Sequence, residues 1–174
     1  MPEQRGPEER LQPALLDRLT DDEPGKKLES RDARVFSKSR LRQAVLRDLA
    51  WLFNATQLES VDDLTRTPLV RRSVLNFGLP ALSGRAASSL DVSDLAKAIR
   101  DAILTFEPRI LPSTLQIKTL VESGQLDHHN VIGVQIHGEL WAQPVPLEFL
   151  VRTDFDLETG KVRITDLISA ARVA

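Results

Sequence analysis

The stretch Phe106-Glu107-Pro108-Arg109-Ile110 is where the periodicity of the chain changes. Upstream of it, apolar residues recur about every 3.6 residues, as on one face of a helix; downstream they alternate about every second residue, as in strands. Proline accounts for much of the switch. A residue before proline is pushed out of the α region, so the upstream helix should end at or near Glu107. The ring fixes Pro108 and removes a donor. If the segment is extended, Glu107 and Arg109 project to the same side, roughly 7 Å apart. An acid and a base held beside a stiff residue read as a docking point, a buried ion pair, or a catalytic carboxylate with its tuner.

Working outward toward the N-terminus, Leu95, Ile99, Ala102, Ile103 and Phe106 form one stripe, with Asp91 or Ser93 as the cap and Lys97, Arg100 and Asp101 on the wet face. Thr67-Pro68 opens a shorter helix whose apolar positions are Val70, Val74 and Leu75. It stops at Asn76-Phe77-Gly78-Leu79-Pro80, where Gly78 supplies a positive φ. Ser37 or Ser39 caps an earlier helix striped by Leu41, Val45, Leu49 and Leu52, and Asn54 reads as its left-handed stop. Leu15, Leu16 and Leu19 predict a short helix or turn. Residues 1–36 read as a flexible N-terminal arm and residues 37–174 as one domain.

Outward toward the C-terminus, Leu115, Ile117, Thr119 and Val121 alternate with polar residues, and residues 124–130 read as a turn. Ile132, Val134 and Ile136 share the face of a second strand. Val145, Leu147, Phe149 and Val151 share the face of a third, with Pro144 and Pro146 at its start. Glu158-Thr159-Gly160-Lys161 is a hairpin turn into Val162 and Ile164. Helices first and strands second predict an α+β domain, with N-terminal helices packed on a C-terminal antiparallel sheet of three to four strands.

Composition narrows the function. The 174 residues carry a net charge of −2 with both signs mixed, no tyrosine and few aromatics, which argues against nucleic acid as a partner. Cysteine is absent, so disulfides, thiolate metal sites and thiol catalysis are excluded. No apolar run is long enough to insert in a membrane. The polar start, MPEQRGPEER, is not expected to be a secretory signal. His128, His129 and His137 lack metal-site spacing, and no cofactor motif is present. Arg40, Arg42, Arg47, Arg71 and Arg72 read first as a solvated face, and second as the rim of a protein interface.

Asp48 stands out in its helix, because its neighbours at three and four residues are Ala44, Val45, Trp51 and Leu52, so no local lysine or arginine is expected to pair with it. It is either a carboxylate at the edge of the stripe, reaching water, or a buried acid paired with an arginine from elsewhere, Arg109 among the candidates. The one enzymatic reading is glycoside hydrolysis, with Glu107 as general acid and Asp127 or Asp154 as its partner. That chemistry needs a raised pKa on Glu107, and a neighbouring arginine acts in the opposite direction.

Five blocks, LLDRLTDDEP (Leu15–Pro24), LRQAVLRDLAWLFNAT (Leu41–Thr56), SVLNFGLPALSG (Ser73–Gly84), FEPRI (Phe106–Ile110) and VPLEFLVRTDFDLETGKVRI (Val145–Ile164), span nearly the whole chain. Together they resemble the TssE-like baseplate wedge subunits of the bacterial type VI secretion system, relatives of phage wedge proteins long labelled lysozyme-like. The resemblance implies a non-enzymatic assembly protein in the cytoplasm, in the baseplate at the inner face of the inner membrane. It implies TssF, TssG and TssK as baseplate partners and the TssB/TssC sheath as the structure it helps to start. It makes Glu107, Pro108 and Arg109 an interface signature, so Arg109→Ala should spare the isolated fold and block sheath elongation. It also implies that an edge strand pairs with the sheath, and Val145–Asp154 or its hairpin partner is the candidate. A peptidoglycan hydrolase and the wedge of a phage-like contractile particle are the alternatives.

Overall fold

The computed structural model describes residues 11, 14–20, 25, 37–82, 91–120 and 131–168. The predicted 124–130 turn, His128, His129, Asp127 and most of the 1–36 arm lie outside them. The order of elements is α1 (Leu15–Leu19), α2 (Lys38–Asn54), α3 (Pro68–Arg71), α4 (Val92–Phe106), then β1 (Gln116–Leu120), β2 (Val131–Leu140), β3 (Leu147–Asp156) and β4 (Val162–Asp166). The protein is α+β, and its four strands form one antiparallel sheet in the order β1-β2-β3-β4.

Helix α2 begins where the Ser37 hydroxyl accepts the Arg40 N–H at 3.1 Å, and α4 where the Asp91 carboxylate accepts the Ser93 N–H at 2.8 Å. Leu41, Val45, Leu49 and Leu52 of α2 and Leu95, Ile99 and Ile103 of α4 are buried. They face Ile132, Val134, Ile136 and Leu140 of β2 and Phe149, Val151 and Phe155 of β3 in one core. The opposite face of the sheet carries Gln135, His137, Glu148 and Arg152, so the strands show the buried-in, polar-out alternation of an antiparallel sheet covered on one side.

Two local expectations change. Asn54 ends α2 without a left-handed turn, since among the described residues only glycines have positive φ. Its side chain instead accepts the N–H of Val162 and donates to the Val162 carbonyl, both at 3.0 Å. Val74 and Leu75 were expected to be an apolar helix face, yet both are exposed, because α3 stops at Arg71 and a 3₁₀ turn follows at Val74–Asn76. Asn76, buried, orders this excursion by accepting from the Glu59 N–H and donating to the Arg71 carbonyl.

The excursion leaves and rejoins the body at a neck. Leu79 N–H donates to the Ala55 carbonyl and Gln57 N–H to the Leu79 carbonyl, both at 2.9 Å. Gly78 sits in this neck with φ of 131°, and a Cβ there would stand 2.4 Å from the Ala55 oxygen. Both the dihedral and the space therefore require glycine. Gly78→Ala is expected to cost about 3 kcal/mol of stability in urea denaturation; an unchanged midpoint would show that the neck can open without penalty.

Candidate functional site

The Phe106–Ile110 stretch is a tight turn, not an extended segment. Glu107 caps α4 with its N–H on the Ile103 carbonyl, and the Ile110 N–H returns to the Glu107 carbonyl at 3.2 Å. The turn is fastened to the sheet: Trp141 N–H donates to the Arg109 carbonyl at 2.7 Å and Leu111 N–H to the Glu139 carbonyl at 2.8 Å. Turning, rather than extending, lets the Arg109 side chain fold back on Glu107. Nε donates to Glu107 Oε1 at 2.7 Å and Nη2 to Oε2 at 2.5 Å, while the Arg109 backbone N–H also reaches Oε1. The two side chains are 8% and 4% exposed.

The same guanidinium spans to the helical layer. Arg109 Nη2 donates to Asp48 Oδ2 at 2.5 Å, and Asp48 is half-buried on α2. Asp48 also has a local partner that its helical neighbours at three and four residues do not supply. Arg47 Nε donates to Asp48 Oδ1 at 2.9 Å, and Arg47 Nη1 continues to Asp17 Oδ1 of α1 at 2.6 Å. Five charges thus alternate in sign from Asp17 through Arg47, Asp48 and Arg109 to Glu107, joining α1, α2 and the α4–sheet turn. Burial disfavours the Arg109 cation, but Glu107 and Asp48 more than offset it and raise its pKa above the ordinary arginine value. The hydrogen bond that Arg47 donates to Asp17 chiefly raises Arg47 in the same way. Burial pushes Asp17 up, but the hydrogen bonds from Arg47 and the Ala14 N–H hold it below its ordinary value of 3.8.

Beside this network lies a cavity of about 360 Å³, walled by Trp51, Leu52, Phe77, Phe106 and Pro108 and floored by Asp48, Glu107 and Arg109. Near it, Leu15, Leu16 and Leu19 of α1 are exposed, although their helix is tied to Arg47. Among the described residues every side-chain hydrogen bond to Glu107 comes from Arg109, which is the geometry of an ion pair. The result is a buried charge joint beside an open, largely apolar groove. Residues 39–145, which contain the whole of this joint except Asp17, match the family described as baseplate wedge protein gp25.

The chain belongs to the gp25 family of baseplate wedge proteins. No curated protein and no solved structure matches it. Family membership makes the chain a structural part of a baseplate, one that associates with other baseplate components.

As a wedge protein its sheet edges matter, and here the expectation from sequence needs correction. Leu147, Phe149 and Val151 lie on β3, which pairs with β2 on one side and β4 on the other, so this strand is internal and offers no edge. Val145 precedes β3 in an exposed loop. The alternating strand looked like an edge because prolines stand at its start, but both fall before its first ladder residue, Leu147. The edges are β4, its hairpin partner, and β1. On β4 the outward backbone groups of Val162 are both taken by Asn54, and Arg42 of α2 reaches Asp166 at 3.7 Å. On β1 the Leu115 carbonyl just before the strand is taken by Arg100 at 2.8 Å. Residues 116, 118 and 120 face β2 in the ladder, since Glu139 of the same phase on β2 bonds toward Leu111 and Thr114. Ile117 and Thr119 therefore direct their N–H and C=O groups away from the sheet.

Arg42 is less solvated than its pattern suggested, whereas Arg71 stays exposed as expected. Arg42 donates to the Glu148 carbonyl at 2.6 Å and Arg71 pairs with Glu59 at 3.0 Å. Arg47, Asp17, Trp51 and Phe77 are the site residues that sequence reasoning passed over. Adjacent helical positions do not face each other, and only the length of the Arg47 side chain brings it round to Asp48.

Burial also corrects the expected tolerance of Arg109→Ala. Removing this guanidinium strands Glu107 without its partner, so the fold itself should suffer by about 3–5 kcal/mol. Glu107→Gln is expected to cost a similar amount, and Asp48→Asn less, about 1–2 kcal/mol, because Asp48 is wetter and shares its charge with Arg47. Urea denaturation of both variants checks the order; equal losses would make Asp48 as integral as Glu107. The lowered Asp17 carboxyl gives a second expectation. Its tie to Arg47 is complete above pH 3.8 and is lost as pH falls through the lower folded value. The Ala14 amide resonance should move across that window in the parent chain and stay still in Asp17→Asn.

Proposed function

We propose that this chain is a TssE-like wedge subunit of a type VI secretion system. In this reading it joins TssF and TssG in the cytoplasmic wedge at the inner face of the inner membrane, where TssK links the wedge to the membrane complex. It carries no enzymatic activity. The Glu107-Pro108-Arg109 turn, the α1 leucines and the Trp51–Phe106 groove form the docking face toward the wedge. The observation that supports this most is the buried Glu107–Arg109–Asp48 joint, which keeps a signature of two charges rigid at the border of an exposed apolar surface.

The sheet then serves the TssB/TssC sheath by strand addition, in which backbone hydrogen bonds supply affinity and alternating side chains supply register. Of the two edges, β1 presents two successive outward residues, Ile117 and Thr119, whereas β4 has its Val162 groups already satisfied by Asn54. The growing sheath therefore pairs with β1. Thr119→Pro removes one outward N–H without touching the β1–β2 ladder. The purified variant should melt within a few degrees of the parent and still bind TssF and TssG, yet cells carrying it should fail to extend sheath tubes. Normal tubes would refute the β1 assignment. Absence of co-purification of the parent chain with TssF and TssG would point instead to a phage-like contractile particle.

A further inference from the structure

We infer that the cavity beside the charge joint receives the side chain of an arginine projected by a neighbouring baseplate subunit. The inference rests on the reading of this face as a docking surface and adds the chemistry of its anchor.

Three features select a guanidinium. First, the walls are aromatic: Trp51 is 53% exposed and lines the cavity together with Phe77 and Phe106, whose rings meet edge to face at 5.2 Å. Aromatic faces attract cations, arginine most readily because its flat guanidinium stacks. Trp51 already carries one such group, with the Arg47 guanidinium carbon 5.2 Å from its ring centre. Second, the floor has an odd charge. The joint holds three carboxylates, Asp17, Asp48 and Glu107, against two guanidiniums, Arg47 and Arg109. Among the described residues this leaves one negative charge over. Third, that charge has acceptor capacity where the cavity reaches it. An ionised carboxylate offers about four acceptor positions, and of those on Asp48 one is used by Arg47 and one by Arg109. Glu107 is saturated by comparison, with three donors from Arg109 on a 4% exposed side chain.

The alternatives fit less well. An aliphatic anchor would fill the walls but cover Asp48 and leave its excess charge desolvated. An acidic anchor could address the buried Arg47 Nη2 and Arg109 Nη1, which make no hydrogen bond among the described residues, but it would add a fourth carboxylate to the three already set against two guanidiniums. A lysine reaches the carboxylate as a point charge but lacks the plane that lies against Trp51.

The test is a titration of the purified full chain with N-acetyl-arginine amide, N-acetyl-lysine amide and N-acetyl-leucine amide, followed by NMR. The chain has two tryptophans, and Trp141 lies outside the cavity lining, so its indole signal serves as an internal control. Arginine amide should shift the Trp51 indole saturably and bind about fivefold to tenfold more tightly than leucine amide, a factor between those of an exposed and a desolvated cation–π contact. Added salt should weaken it, and Trp51→Leu, on the exposed face of α2, should abolish it while leaving the melting temperature in place. Equal or tighter binding of leucine amide, shifts shared by Trp141, or no saturable shift would overturn the inference. The docking reading is tested separately by co-purification with TssF and TssG. Arginine binding without co-purification would remove that reading and leave the cavity chemistry standing.

Discussion

Arg109 is the constraint on which the arrangement of the two layers depends. Its backbone belongs to the sheet side through the Trp141 hydrogen bond, its Nε and Nη2 hold Glu107 at the end of α4, and its Nη2 also reaches Asp48 in the middle of α2. One buried cation therefore fixes three elements at once. Such a joint adds little net stability, because removing charges from water costs about as much as pairing them returns. What it contributes is geometry. An apolar contact would allow the turn to slide over α2, whereas two carboxylates around one planar guanidinium admit a single arrangement. For a subunit whose task is to hold others in register, that is the useful property.

Much of this was legible in the sequence. The stripe of α4, the alternation of β2 and β3 and the positive φ at Gly78 follow from local rules and describe the fold correctly, and each helix is capped by one of the two residues offered for it, Ser37 and Asp91. The site was legible in its members, with Glu107, Arg109 and Asp48 all conspicuous, but not in its shape. Proline disfavours helix without choosing between an extended path and a turn; the choice was made by the sheet, which takes up the Arg109 carbonyl and the Leu111 N–H. Strand order lay further out of reach. Nothing in the alternation of Leu147, Phe149 and Val151 tells whether one neighbour or two will pair with them, since both situations bury the same face.

The sheet edges show a shared device. Helices α2 and α4 each send a polar side chain past the core to the border of the sheet: Asn54 occupies Val162 on one edge, and Arg100 the Leu115 carbonyl on the other. Unpaired strand borders invite indiscriminate aggregation, and proteins commonly shorten or block them. Here the blocking is partial and unequal, so strand addition as proposed would be confined to a short stretch of β1. A short ladder recruits a correct strand only when other contacts hold it near, which suits a protein that should pair within an assembly and not in free solution.

The closed neck at Ala55, Gln57 and Leu79 has a consequence for how the molecule can change over evolutionary time. Because residues 58–78 leave and return at one point, and Asn76 ties the segment to itself, their exposed Val61, Leu69, Val74 and Leu75 sit on a cassette. Its tip can be lengthened, shortened or recoloured by substitution while the packed layers underneath keep their shape. Loop length adds to closure entropy only logarithmically, so such rewriting is thermodynamically cheap. A subunit of this build can acquire new neighbours at the cassette without renegotiating the old ones.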